Sequence, residues 1–330
     1  MSAQLIRREL LEDALRERVL VLDGAMGTMI ETAGLDEADF RGLRFGEAPE
    51  NLKGNHELLT LTRPDVIAKF HHDFLRAGAD IITTNSFNAN SARQSAFGLE
   101  GIVYELNLEA ARLARFSADD VNAETPYWPR FVAGAIGPRL ESSDVSDFLE
   151  PIRGLVDGGV DLLLMETVLD DQSVSHVLSA ADEVFRDREY RLPIMISFTA
   201  LDGRIPPAVP LAMIERLNKA EIWDIGFNCN LDIHTVLPGL NQVAEAFNGA
   251  VSVYPNARFD DGSVAEPEVF SELVSAMAGN AMVNVVGGCC GTTPAHIAQL
   301  ARLVLDMRPR TCPRHVNTGP DENGGLAWAS

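Results

Sequence analysis

The sequence predicts a (β/α)8 TIM barrel in a single domain over residues 1–306, followed by a loosely held tail at 307–330. Three observations carry this expectation. Eight short apolar runs alternate with amphipathic stretches, which reads as repeated parallel βα units. Each run ends in a polar or glycine-rich cluster that a packed core would not tolerate. The length of 330 residues also suits a barrel with modest insertions.

Taken in order, the first run, 19–22 (VLVL), ends in Asp23-Gly24-Ala25-Met26-Gly27-Thr28. The second, 80–83 (DIIT), ends in the turn from Thr84 to Asn90, and the third, 131–135 (FVAGA), in Gly137-Pro138. The fourth and fifth, 161–165 (DLLLM) and 193–197 (PIMIS), end in Glu166-Thr167 and Phe198-Thr199. The sixth, 222–227 (IWDIGF), runs into Asn228-Cys229-Asn230, and the seventh, 250–254 (AVSVY), into Pro255-Asn256. The eighth, 282–286 (MVNVV), opens onto the turn Gly287 to Thr292, where Thr292 or Thr293 can cap a helix and Pro294 suits its first turn. Helical periodicity fills 65–77, 102–116, 173–187, 211–220, 233–247 and 267–278. Runs this apolar belong to strands buried on both faces. A doubly wound sheet would carry a glycine-rich phosphate turn after its first strand, and none is present. In a barrel, all eight run ends gather at one mouth, where the chemistry of such folds sits. The stretch from Met307 to Ser330 is rich in proline, glycine and polar residues, hence the expectation of a loose tail.

Composition excludes several function classes. Forty-eight acidic against 27 basic residues give a net charge of -21, which repels nucleic acid and anionic membranes. No run of about 18 apolar residues appears, and the N-terminus is charged rather than signal-like, so a soluble, cytoplasmic protein is expected. Four cysteines, two of them adjacent, do not form a disulfide framework.

The cysteines are the most informative residues. Cys289 and Cys290 lie between glycines at the end of the eighth run, and Cys229 lies at the end of the sixth. Neighbouring side chains on a strand point to opposite faces, but flanking glycines let the chain turn so that both sulfurs converge. Three thiols from two strand ends are expected to form a zinc site with one position open, the other readings being small buried apolar residues or a strained vicinal disulfide. A three-thiolate ion holds an incoming thiol as a nucleophilic thiolate, which suits alkyl transfer to sulfur. Cys312, in the tail, is read as a bystander.

Asp23 and Glu166 stand at strand ends, where a carboxylate holds a substrate ammonium, acts as a base, or simply caps the next helix or pairs with a neighbouring strand. The backbone N–H groups of Gly24 and Ala25 can receive a carboxylate, and Asn256 can add an amide contact. Together these outline a thiol amino acid as ligand. The asparagine-rich turn from Thr84 reads mainly as local turn chemistry. The seven histidines show no metal spacing. His71 and His72 are expected on a helix surface, and His296 in contact with solvent only.

These residues resemble the homocysteine S-methyltransferases, and most closely the N-terminal homocysteine-binding module of cobalamin-dependent methionine synthases. The likeness runs from about Leu15 to Leu305. Its markers are VLDGAMGTMI at 21–30, LKGNHELLTLTRPDVI at 52–67, AGADII at 77–82 and NSFN at 85–88. Further markers are METV at 165–168, FNC at 227–229, PNA at 255–257 and Gly287 to Thr293. The resemblance implies a (β/α)8 barrel in which Cys229, Cys289 and Cys290 bind Zn2+, the homocysteine sulfur takes the fourth place, and methionine is formed. It also implies that Asp23, Glu166, Asn256 and the Gly24–Ala25 backbone surround the amino-acid end of homocysteine. The chain departs from that pattern in a short segment at 137–159, a short stretch at 198–210, Asn230-Leu231-Asp232 after Cys229, and Arg258-Phe259 after Ala257. All of these bear on the methyl donor. With no corrinoid- or folate-binding segment in the sequence, the leading expectation is methylcobalamin on a separate corrinoid-binding protein. The alternatives are S-methylmethionine, betaine or another small donor, with Trp128, Trp223 and Tyr254 as the only aromatic hints of a cation pocket and Trp223 itself reading as core. A barrel that binds zinc or a thiol without catalysis is the third reading.

Overall fold

The computed structural model describes residues 3–138, 144–186, 188–199, 211–220, 222–229, 233–259 and 262–313. All eight apolar runs are parallel strands: β1 (Leu20–Val21), β2 (Ile81–Thr83), β3 (Phe131–Ile136), β4 (Leu162–Val168), β5 (Ile194–Phe198), β6 (Asp224–Cys229), β7 (Ala250–Pro255) and β8 (Val285–Val286). They form one sheet in the order β1-β8-β7-β6-β5-β4-β3-β2. A parallel bridge between Leu22 and Ile81 joins its two edges and closes the barrel.

Strand alternation divides the core into two layers. Leu20, Leu22, Ile81, Phe131, Ala133, Leu162, Leu164, Met195, Ala250 and Val285 fill the lumen. The intervening residues, among them Val21, Ile82, Val132, Leu163, Ile194, Ile196, Ile225, Val251 and Val286, face the surrounding helices. Those helices are α1 (Ala3–Glu17), α2 (Met26–Thr32), α3 (Pro64–Arg76), α4 (Val103–Glu124), α5 (Ser146–Gly158), α6 (Asp171–Phe185), α7 (Leu211–Lys219), α8 (Ile233–Ala246), α9 (Pro267–Gly279) and α10 (Pro294–Val304). Among the described residues, no helix is long and apolar enough to cross a membrane.

The end of the barrel opposite the mouth is closed by α1, whose Leu11, Ala14 and Leu15 pack into the lumen layer. Two buried carboxylates tie it there. Asp161 pairs with Arg7 and Arg115 and accepts the Val132 N–H at 2.8 Å. Asp80 pairs with Arg18 at 2.9 Å, accepts the Val21 N–H at 2.9 Å and accepts Trp128 Nε1–H at 2.8 Å. Trp128, with the Arg18 guanidinium 4.0 Å above its ring, is therefore a closing residue far from the mouth. Trp223 is core, at 4% exposure.

The mouth is walled on one side by the excursions that follow β1 and β2. Met26, Ile30, Phe40, Leu52, Leu58, Leu59, Ile67, Phe70, Ala89 and Leu99 form a separate apolar cluster there. This is why the marker stretch 52–67, partly helical, lies beside the mouth rather than in the outer ring.

Three expectations are corrected. The segment after Met307 is not loose from its start: Arg310 is buried, donates to the carbonyls of Ala244, Phe247 and Gly249, and its own carbonyl accepts Asn284 Nδ2–H at 2.6 Å. Cys312 beside it is buried against the lumen layer; residues 314–330 lie outside the described part. His296 is also buried. Its Nδ1 accepts the Thr293 N–H at 3.2 Å, and Nε2 lies 2.9 Å from the Ala265 carbonyl, which makes Nε2 the protonated nitrogen. His71 is fully buried on α3, and neither ring nitrogen has a hydrogen-bond partner among the described residues.

Burial lowers the pKa of His71 from 6.5 to about 3, with His72 adding repulsion. The folded form therefore holds it neutral, while the unfolded chain takes up a proton below about 6.5. Its contribution is complete above pH 6.5 and is lost as pH falls towards 3, by an amount on the order of 5 kcal/mol. Denaturant titrations at pH 7.5 and 4.5 are expected to show a His71→Met variant losing less stability on acidification than the parent; equal losses would place the acid sensitivity elsewhere.

Candidate metal and substrate site

Towards the mouth, the inner face of the barrel changes from apolar to polar. An open cavity of about 440 Å3 occupies this end. It is lined by residues from the ends of β1, β2, β4, β6, β7 and β8: Asp23 to Thr28, Thr83 to Asn88, Glu166-Thr167, Cys229, Tyr254 and Gly288 to Cys290, with His56, Glu57, Glu31 and Arg258 around the rim. Its size is that of a small-molecule site.

The three cysteines converge there as expected. Their Sγ atoms all lie within 4.8 Å of one another, the only such set of His, Cys, Asp and Glu donors among the described residues. Thiolates about 2.3 Å from a tetrahedral ion stand roughly 3.8 Å apart, so the trio shares a centre once Cys229 and Cys289, whose sulfurs lie 2.6 Å apart, open by about an ångström. Cys229 and Cys289 are half-buried, and Cys290 is exposed towards the cavity. Hydrogen bonds from Cys229 and Cys289 hold the Cys290 thiol far below its usual range, while the same contacts and burial push Cys289 up. The mutual hydrogen bonds thus favour deprotonation at Cys290, the most exposed of the three, and a cation bound among them would favour the thiolate form of all three.

Local backbone builds this convergence. Cys229 sits at φ 59° and Thr167 at φ 62°, left-handed conformations that cost non-glycine residues on the order of 1–3 kcal/mol each. Asn228, fully buried between them, holds both in place. Its Oδ1 accepts the Thr167 N–H at 3.1 Å and the Ser197 hydroxyl at 2.9 Å, and its Nδ2 donates to Thr167 Oγ1 at 3.0 Å. On the other side, a Cβ on Gly288 would lie 2.4 Å from Thr292 Cγ2, and Gly291 takes φ 86°. Thr292 is the counterpart of Asn228. Fully buried, it donates to the Cys289 carbonyl at 2.7 Å and accepts the Ala25 N–H at 3.1 Å. A second tie runs from the Gly291 N–H to Thr28 Oγ1 at 3.0 Å. The thiol turn is thus bolted to the loop after β1.

Asp23 and Glu166 both reach the cavity. Asp23 is 2% exposed and accepts the Thr83 N–H at 2.9 Å and its hydroxyl at 3.2 Å. Burial nevertheless raises its pKa well above the usual range, with the Glu166 charge adding to it. Burial and the charge of Cys290 raise Glu166 to about 7. Among the described residues neither acid pairs with a basic side chain, so both are poised to receive a cation. Gly24 lines the cavity beside them. The Ala25 N–H does not add to the free donors, because Thr292 takes it. Asn256 follows β7 at the rim, half-buried and outside the lining.

Sequence reading missed Asn228 and Thr292, which hold the ligands without being ligands. It also missed Glu57, buried in the cavity wall with its carboxylate accepting the Asn88 N–H at 2.9 Å. Residues 139–143, 200–210 and 230–232, where three of the departures fall, lie outside the described part.

Substituting Thr292→Val keeps the shape and deletes both hydrogen bonds. Such outer supports are worth about 10–100-fold in metal affinity, and chelator competition is expected to show a loss in that range, with the fold retained by circular dichroism.

Comparison with known proteins agrees with this geometry. The model of the family "Homocysteine S-methyltransferase" matches residues 20–304. The structure of the homocysteine methyltransferase MmuM from Escherichia coli in its metallated form is similar at a TM-score of 0.68 and 26% identity, over 89% of this chain and 98% of that one. Its oxidised form matches at a TM-score of 0.68 and 25% identity, over 91% and 99%. With a family match that spans nearly the whole barrel, the chain belongs to the homocysteine S-methyltransferase family.

Proposed function

We propose that this enzyme binds Zn2+ through Cys229, Cys289 and Cys290 and methylates the thiol of homocysteine to give methionine. The observation that carries the reading is the three-sulfur cluster open on one side to a cavity lined by Asp23 and Glu166, which have no basic partner among the described residues. An all-thiolate donor set selects a borderline-soft ion such as zinc. Bound there, the ion supplies a lowered pKa and retained nucleophilicity for a fourth sulfur.

The chain's own residues do the rest. Glu166 and Asp23 take the substrate ammonium, which offsets the cost of their burial, and the turn at Gly24 faces its carboxylate. Asn228 and Thr292 fix the cysteines so that the acceptor sulfur is presented to the open side of the cavity. Phe87 and Tyr254 line its wall and keep water from the reacting atoms. In the transfer, the acceptor sulfur forms a bond to the methyl carbon while the bond from that carbon to the donor's heteroatom breaks. The bonding pair leaves with the donor, and the thiol proton goes to solvent.

For the donor, the lining favours a small methylated onium compound over a methyl-corrinoid delivered by a separate protein. Asp23, Glu31, Glu57 and Glu166 make the cavity acidic, and Phe87 and Tyr254 add aromatic faces. Trp128, one of the aromatic hints, takes no part in the lining, and Trp223 is core as expected.

Metal analysis of the purified protein is expected to find about one zinc per chain, and Cys289→Ser to abolish stoichiometric binding. Zinc retained in that variant would refute the ligand set. With homocysteine and each donor in turn, methionine is expected from sulfonium or betaine-type donors and not from methylcobalamin. Glu166→Gln is expected to raise the KM for homocysteine about 10–100-fold, the value of a hydrogen bond to a charged group.

A further inference from the structure

At the rim of the cavity stand two opposite charges that the acceptor half of the reaction does not use. The main chain of Arg258 is fixed to the thiol turn, its N–H donating to the Cys290 carbonyl at 3.1 Å, and it bridges Val264 in an antiparallel pair. Its guanidinium lies 3.6 Å from Glu31 on α2, with the two side chains 46% and 56% exposed. Both line the cavity. Glu31 also lines an adjoining recess of about 330 Å3, so the rim widens at this point.

A pair this exposed and this long is worth about 0–1 kcal/mol, and a ligand can exchange into it at little cost. Arg258 can offer a carboxylate two parallel hydrogen bonds, which is more than Glu31 receives from it here. Displacing a leaving group from a methyl carbon requires the acceptor sulfur, the carbon and the leaving atom to lie in line. The donor must therefore stand on the open side of the thiols, with the rest of its body towards the rim. The acceptor's amino-acid end is already provided for by Asp23 and Glu166 deeper in the cavity.

Resting on the methyl-transfer reading above, we propose that Arg258 and Glu31 form the donor-recognition clamp, Arg258 taking the carboxylate and Glu31 the ammonium of a zwitterionic, amino-acid-type onium donor. In the transfer, the donor's C–S bond breaks with its electron pair going to sulfur, so the clamp releases a neutral thioether amino acid.

The test uses the zinc-loaded protein and three sulfonium probes: S-methylmethionine with both end groups, dimethylsulfoniopropionate with a carboxylate only, and trimethylsulfonium with neither. Arg258→Met is expected to raise the KM for the first two at least tenfold and leave that for trimethylsulfonium and homocysteine within twofold, with Arg258→Lys intermediate. Glu31→Gln is expected to weaken only S-methylmethionine. Equal effects on all three donors, or a shift confined to homocysteine, would overturn the clamp. Calorimetric titration of the same donors separates this inference from the one it rests on. Binding that depends on Arg258 without methionine formation keeps the clamp and removes the proposed activity, whereas no binding of either carboxylated sulfonium removes the clamp.

Discussion

The structure depends on bringing three sulfur atoms to one point from two strand ends that are not neighbours. β6 and β8 are separated by β7, and on an open flat sheet their ends would diverge. Closing the sheet curls those ends around a shared cavity. The remaining difficulty is that Cys289 and Cys290 are adjacent, and adjacent residues on a strand face opposite ways. The chain resolves it by ending β8 after Val286 and turning sharply through glycines. Cys229 reaches the same point through a left-handed backbone held by Asn228. These are unfavourable local choices, and they persist because buried hydrogen bonds over-determine them.

The same economy governs the charges. Asp80 and Asp161, at the closed end, are buried carboxylates surrounded by arginines and main-chain N–H groups, and there they serve the fold by anchoring α1. At the open end, buried Asp23 has only the Thr83 N–H and hydroxyl on its carboxylate, and neither it nor half-buried Glu166 pairs with an arginine or lysine among the described residues. Identical chemistry at the two ends of one barrel thus has opposite consequences. At one end the charge is satisfied within the protein, and at the other it is left for a ligand.

How much of this could be read from the residues depended on the range of the interaction. The strands were legible because burial on both faces writes continuous apolar runs, and the ligands because glycines beside paired thiols have few other uses. Asp23 and Glu166 were legible as charges at the ends of such runs. His71 and His296 were not: a histidine on an amphipathic helix reads as surface, and only the packed helix shows that α3 turns His71 inward. Thr292 looked like a helix cap, while its bond to Ala25 spans 267 positions and leaves no local trace. The docking of Arg310 was hidden for a similar reason. Its partners are the carbonyls at the end of α8 and just beyond it, and carbonyls have no sequence signature.

The two halves of the site are built differently, and this bears on what the family can vary. The acceptor side is made from strand ends, whose positions the barrel fixes to within the tolerance that metal coordination demands. The donor side is made from the loops after β1, β2 and β7, which can lengthen or change sequence without disturbing strand register. Arg258 is the point where the halves touch: its main chain belongs to the thiol turn and its side chain to the rim. A change at that one position alters the charge seen by an incoming donor and leaves the sulfur ligands where they are. On the proposed reading, donor recognition at the rim can therefore change while the thiol cluster keeps its geometry.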